Sequence, residues 1–479
     1  MSISKILNNA FFKFACVLTI VASVVLLFAG CGFSRLSDGP AASDEVTGNG
    51  SLAVTKGDYL YFVNGYKGVA DVADTNHYGK VEQAAIYRVK LDAEGKVTED
   101  AKYNDDGEVI FDKTKALKDL EILVPQVAGF EYTKLYIFGD YLYYSTPNHL
   151  RDKSGEIMSK YINIYRVRLD RTGGNELMYS TDSENASVNW SMHQIGDIAY
   201  MTVLDGEKLV VVSQDLETAA TNTKVVAEEH ISSATLPTYC CSTDTVSEID
   251  KKIYFTEENH DDATTVVLKS FDLATQTIAD VFTSAGEQYE VKGTSGGKLY
   301  YTKTISTQPG FSAKIFASDM VNPAVEVSAQ AYGSSADIRS YALTGQQYET
   351  SILYSDGTNS YYKRAGETAT KFLSSDIIAK IVKVQGEYVY YLDSSSLYRV
   401  KYTQTNTSGE AMIPSGVTPK GDIVNNFGVD GSKVYFFVKY TDNYYMHYAN
   451  YDATVSEIDQ SVYTHFIGKL LEADYVSEE

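Results

Sequence analysis

The sequence predicts an all-β protein, a β-propeller of four-stranded blades with eight blades and seven as the rival count. Three observations predict it. A strand opening on a tight turn, clearest as Gly139-Asp140 followed by Tyr141-Leu142-Tyr143-Tyr144-Ser145, recurs at Gly57 to Phe62, Gly196 to Met201, Asp250 to Phe255, Gly297 to Tyr301, Glu349 to Tyr354, Gly386 to Tyr391 and Gly431 to Phe436, eight copies in all. Each opener is followed by a partner strand: Ile86 to Asp92, Ile164 to Asp170, Lys208 to Leu216, Val267 to Leu273, Lys314 to Met320, Ser360 to Arg364, Leu397 to Tyr402 and Tyr444 to Asp452. Between a partner and the next opener there is room for two more short strands, such as Glu176 to Ser180 and Ser191 to Ile195. A run such as Tyr59-Leu60-Tyr61-Phe62-Val63 is apolar on both alternating faces, so both faces need cover. A sheet stacked between two like neighbours in a ring supplies it, and units of about 40 to 50 residues fit the propeller period.

Tyrosine suits these positions because its ring packs against the neighbouring blade while its hydroxyl reaches a partner or water at the edge. Most of the 39 tyrosines are therefore expected in the core. The repeat resembles the YWTD propellers of low-density lipoprotein receptors, and more closely a bacterial lipoprotein-associated propeller family of unknown function. Tyr254-Phe255-Thr256-Glu257 and Tyr300-Tyr301-Thr302-Lys303 are the nearest matches. The likeness spans about residues 50 to 460. Tyr or Phe replaces Trp throughout, and the only tryptophan, Trp190, lies outside the motif, so no receptor ligand residues carry over.

In chain order, residues 1–30 carry Lys5 and Lys13 and then the apolar run Phe14 to Phe28, a signal-peptide pattern. It ends Leu27-Phe28-Ala29-Gly30-Cys31, which resembles the lipobox of bacterial lipoproteins, with Phe28 where Leu is usual. That resemblance implies lipidation of Cys31, with acyl chains such as palmitate, and an extracytoplasmic, membrane-anchored location. The apolar run is shorter than the roughly 20 residues a spanning helix needs, and two acyl chains anchor stably where one is marginal. Residues 31–49, rich in Gly, Ser, Ala, Asp and Pro, are expected as a flexible tether of about 25 Å. The propeller is expected over 50–460 and a C-terminal tail over 461–479, where Phe466 to Leu471 suggests a short capping helix.

The formal net charge is −22, and loss of residues 1–30 removes two lysines and no acid, taking it to about −24. Nucleic acid is excluded as a partner class, because phosphate binding needs concentrated positive charge. Of the four cysteines, Cys16 leaves with the signal peptide, Cys31 is the lipid site, and Cys240 and Cys241 are adjacent. Adjacency leaves two readings, a strained vicinal ring or two ordinary thiols.

Insertions mark the candidate binding face. The strand-two to strand-three loops are longest in the first unit, Gly65 to Gln83, and the second, Pro147 to Lys160. Consecutive units in a ring place them side by side. Tyr66, His77 and Tyr78 in the first loop, with Asn148, His149 and Arg151 in the second, supply aromatic area, hydrogen bonding and a fixed positive charge, the residue types recognition surfaces favour. A further insertion, Ala93 to Lys118, contains Asn104-Asp105-Asp106-Gly107-Glu108, whose ligand alternation is too incomplete for a calcium loop and suits a hairpin turn.

No two of the seven histidines fall at metal-ligand spacing, and Glu257 to Asp262 reads as a solvated charge run, so no metal and no cofactor are expected. There is no nucleophile elbow, phosphate-cradling glycine loop or dinucleotide fingerprint. The sequence thus points to a non-catalytic binding or scaffold propeller for an envelope or extracellular protein, peptide or glycan. The alternative is a glycan-processing hydrolase or lyase whose paired carboxylates, drawn from different blades, meet in the channel and leave no local trace.

Overall fold

The computed structural model describes residues 36, 39–67, 83–91, 102–103, 109–110, 120–128, 134–147, 161–183, 187–238, 240–241, 246–259, 262–285, 287–295, 297–305, 313–322, 324–326, 352–356, 358–363, 368–377, 382–385, 387–393, 396–412, 422–430, 433–440, 443–450 and 465–466. All the regular structure among them is β, and it is a propeller. The second blade shows the plan. Tyr136–Phe138, Tyr141–Pro147, Ile162–Arg168 and Asn175–Ser180 hydrogen-bond in chain order as an antiparallel meander. The first strand is buried throughout and lies on the ring's inner side, while the last alternates exposed and half-buried and lies outermost. Gly57 and Gly139, with φ of 57° and 54°, take the first position of the two-residue turns joining strands one and two, a conformation that other residues adopt only with strain.

Besides the two-stranded hairpin Lys102–Tyr103 with Val109–Ile110, the described strands form seven sheets. That hairpin sits in the Ala93 to Lys118 insertion, as its turn chemistry suggested. Six sheets hold one meander each. The seventh, of nine strands, holds two, because Tyr59–Lys67 of the first unit pairs with Asn443–Asn450 of the last at Tyr66↔Tyr444 and Lys67↔Asn443. Among the described residues the ring therefore shows seven sheets, the rival number, built from eight meanders.

The aromatic repeat is inter-strand and inter-blade packing. Directly opposed residues of strands two and three stack in five units: Phe62 on Tyr87, Tyr144 on Tyr165, Tyr301 on Phe316, Tyr354 on Tyr361 and Tyr391 on Tyr398, with ring centroids 5.2–5.9 Å apart. Cores are shared between neighbours. Leu52, Phe62 and Ile86 of the first unit cluster with Leu135, Ile137 and Val167 of the second, and Tyr435 of the last unit enters the same cluster.

A buried arginine reinforces the junctions. Arg88 is fully buried; its guanidinium lies 5.0 Å over the Tyr59 ring, is 2.6 Å from Glu121 and donates across the blade boundary to the Leu169 carbonyl. Arg166 repeats this over Tyr141 at 4.6 Å, with Glu176 at 2.5 Å and the Ala219 carbonyl of the third blade. Arg399 repeats the stacking over Tyr388 at 4.7 Å and the pairing with Glu410 at 2.9 Å. Strand three then ends in an Asp whose carboxylate accepts backbone N–H groups of the following turn at Asp170, Asp215, Asp272 and Asp319. At Asp319 the N–H of Asn322 is the main cause that holds the carboxyl down at about 2.

Three expectations are corrected. The stretch read as a tether is in part propeller: Leu36 is buried and its N–H donates to the Asp170 carbonyl, and Val46–Thr47 pairs with Ala53–Lys56. The Asn49 amide exchanges two hydrogen bonds with the backbone of Ile137. Leu36 and Val46 are apolar and pack on the first core, so burial there outweighs the polar composition around them. The propeller also runs past 460, because His465–Phe466 pairs with Asn443–Asn450 as the last unit's fourth strand, and Phe466 is strand where a helix was expected. Finally, the strand of the first unit continues to Lys67, so Tyr66 belongs to a strand, held by its pairing with Tyr444.

The last unit meets the first at Gly428, where a Cβ would collide with Ser51 Oγ and stand 3.2 Å from Ser51 Cβ. Gly428→Ala is expected to cost about 1–3 kcal/mol as an overpacked contact. In urea denaturation, Ser51→Gly should recover most of that loss; an equal loss in both backgrounds would show that the junction is not tight.

Candidate functional site

The inner strands surround the central channel. Two short strands add to its wall: Val46–Thr47 on Ala53–Lys56, and Cys240–Cys241, parallel, on Gln194 and Ile195 of the third blade. Both pair with the part of an inner strand next to its turn, at Lys56 before Gly57 and at Ile195 before Gly196. Lys56, buried, lies at the same end and donates from Nζ to the Gly139 carbonyl at 2.5 Å.

The opposite end is cationic. Lys134 stands two residues before the second blade's inner strand, and its Nζ donates at 3.0 Å to Asn189 Oδ1 and at 3.0 Å to the Trp190 carbonyl of the third blade. Trp190 is held by burial and by Tyr136, 5.2 Å away, and burial raises the Tyr136 phenol. Lys383 lies on the inner strand Val382–Gln385 of the seventh unit. Each lysine is half-buried. Lack of bulk hydration lowers the Lys134 ammonium to about 8, with repulsion from Lys383 adding to it, and lowers Lys383 as well. Among the described residues no carboxylate pairs with either lysine. The arrangement attracts negative charge.

The loop residues singled out from the sequence are only partly placed. His77, Tyr78, Asn148, His149 and Arg151 lie outside the described residues, as do residues 1–30 and Cys31, while Tyr66 is described as backbone. The strands that carry both loops are placed. Tyr59–Lys67 and Gln83–Lys90 bound the first, Tyr141–Pro147 and Ile162–Arg168 the second, in adjacent blades joined by the bridge Ser51↔Leu135. The strand ends that bound both loops lie away from the strand-one turns, at the end that carries Lys134. The Glu257 to Asp262 run connects Lys252–Asn259 to Asp262–Asp272, with Glu257 paired to Lys269 at 2.8 Å. Among the described residues no three His, Cys, Asp or Glu side chains converge as metal ligands, and no helix is long and apolar enough to cross a membrane.

The lysine pair was missed in the sequence because each looks like an ordinary edge lysine. The available signal was positional: strand one, the strand that lines the channel, carries Lys56, Lys292 and Lys383, and Lys134 stands two residues before it, in a strongly acidic chain.

No family model and no curated protein matches the sequence. Solved structures match in fold. The β-propeller domain of the Trilobed protease from Pyrococcus furiosus is 14% identical over 66% of this chain and 93% of its own, with a TM-score of 0.37. A prolyl endopeptidase is 13% identical over 68% of this chain, which spans about half of it (48%), with a TM-score of 0.43. A chain of a nidogen/laminin complex is 12% identical over 50% of this chain and 86% of its own, with a TM-score of 0.28. These are likenesses of fold, shared by peptidases and by proteins of a binding complex alike.

Proposed function

We propose that this chain is a lipid-anchored surface protein, held at Cys31 on the extracytoplasmic face of a bacterial membrane, whose propeller binds an envelope protein, peptide or glycan without catalysis. One observation supports the reading above the others. The aromatic and arginine repeats are consumed in stacking and stapling blades, so the blades act as a rigid frame, and the strands that bound the two longest strand-two to strand-three loops lie in adjacent blades. Recognition on loops held by a rigid scaffold is the usual arrangement. In this reading Tyr66, His77, Tyr78, Asn148, His149 and Arg151 form the partner surface, with Tyr66 at its strand-bound edge.

Cross-linked pull-down from the native cell surface identifies the partner. Trimming both loops to tight turns is expected to leave the thermal midpoint nearly unchanged and abolish capture; retained capture would overturn the loop surface. Cys31→Ser is expected to shift the protein from the membrane fraction to the medium, or leave an unprocessed precursor. An acylated, membrane-bound Cys31→Ser product would overturn the anchor.

A further inference from the structure

We propose that the propeller sits on the membrane in one orientation: the end that carries the strand-one to strand-two turns faces the lipid surface at the first two blades, and the end that bears the long loops points away from it. This orientation rests on Cys31 being the anchor, and adds to that reading a surface and a direction.

The segment between the anchor and the ring is docked. Leu36 is buried in the core shared by the first two blades, and its N–H donates at 3.1 Å to the Asp170 carbonyl. Asp170 follows the second blade's third strand, and the neighbouring Leu169 N–H donates to the Asp140 carbonyl, so the contact lies beside the Gly139-Asp140 turn. Toward the channel the chain keeps to the same end. The Ala42 carbonyl accepts from Lys56 Nζ at 3.3 Å, the Glu45 carbonyl accepts from the Gly57 N–H at 3.1 Å, and Val46 pairs with Lys56. Between these ties Asp44 closes a turn by accepting from the Ala41 N–H at 2.8 Å. Followed back from the channel, the segment is thus strapped to the turn-side end and reaches the junction of the first two blades, from which it leads to Cys31.

Reach decides the orientation. Cys31 stands five positions before Leu36, and an extended chain spans at most about 3.6 Å per residue, so the anchor lies within about 18 Å of the docked Leu36. The second blade's strand Tyr141–Pro147 has 7 residues and is about 23 Å long at about 3.3 Å per residue. An anchor at the loop-bearing end would have to cover more than that length, which the chain cannot do. A free tether over 31–49 would extend to about 65 Å and let either end approach the lipid. Docking Leu36 removes that choice. The two long loops, at the far ends of strands Tyr59–Lys67 and Tyr141–Pro147, are then turned away from the lipid, where a partner outside the membrane meets them.

The two ends of one strand supply the test. Glu217 and Glu207 flank Lys208–Asp215 of the third blade on the turn side and the loop side, and both are exposed. Natively acylated protein, with a donor dye on a non-natural amino acid replacing either glutamate, is added to phosphatidylcholine vesicles containing acceptor-labelled lipid, and energy transfer is measured. Transfer from the site of Glu217 is expected to exceed that from the site of Glu207 by about twofold or more, since the strand between them spans about 26 Å. Inserting about 20 Gly and Ser residues after Ser34 leaves Leu36 docked and lengthens the reach, so the difference should shrink toward none. A difference that survives the insertion would show that reach does not set the orientation, and overturns the proposal. Equal transfer from the two sites, or stronger transfer from the site of Glu207, in protein shown by mass spectrometry to be acylated at Cys31 overturns the orientation and leaves the anchor standing. No acyl chain on Cys31 overturns the anchor and the orientation together.

Discussion

Arg166→Ala is expected to lower the free energy of unfolding by about 3 kcal/mol. Truncation removes a guanidinium stacked 4.6 Å over Tyr141, its pairing with Glu176 and its hydrogen bonds to the Ala219 carbonyl of the next blade. Breaking a buried ion pair costs about 3–5 kcal/mol when the remaining charge is stranded. Glu176 is 42% exposed and regains water, so the lower end applies. Arg166→Met keeps most of the packing and should cost about 1–2 kcal/mol, the scale of the lost charge-assisted hydrogen bonds. Lys208→Met, which removes a surface partner of Asp182, should cost less than about 0.5 kcal/mol. Urea unfolding of the three variants checks the order. Arg166→Ala no worse than Lys208→Met would remove the blade-stapling role.

The second large effect is acid lability at His193. This residue is fully buried on the third blade's inner strand and stacks at 5.3 Å on Tyr200, its direct cross-strand partner. Burial drives its pKa down to about 3 from the ordinary 6.5. With the folded pKa below the unfolded one, the unfolded chain binds the extra proton between those values. Stability is then complete above about pH 6.5 and falls as pH drops toward 3, by about 1.4 kcal/mol per pH unit from this group. At pH 4.5 the contribution lost is about 2–3 kcal/mol. His193→Phe preserves the stack and cannot titrate, so its stability should fall less steeply than wild type between pH 6 and 4. Parallel curves would show that His193 is already charged in the fold.

How far the sequence spoke differs by level. Period-two apolar runs such as Tyr141 to Ser145 and glycine at a left-handed turn position such as Gly139 are local, and local sterics and burial suffice to predict strands, turns and the meander. The same holds for the tyrosines, whose directly opposed stacking follows once strands two and three are paired. Arg88, Arg166 and Arg399 were visible as residues of a repeated strand, but their role was not, because the carbonyls that Arg88 and Arg166 reach belong to the following blade. Leu36 and Val46 were hidden by a Gly-, Ser- and Pro-rich setting that suggests a tether, and only the neighbouring core decides that they are buried.

Composition and strand period alone determined that this is an all-β propeller with strongly acidic character, because each strand's two faces and each turn's conformation depend on residues a few positions apart. Only the tertiary structure decided how the blades are fastened to one another. Arg88 and Arg166 reach the Leu169 and Ala219 carbonyls, 81 and 53 residues away, and those contacts exist only because the fold stacks each blade on the next.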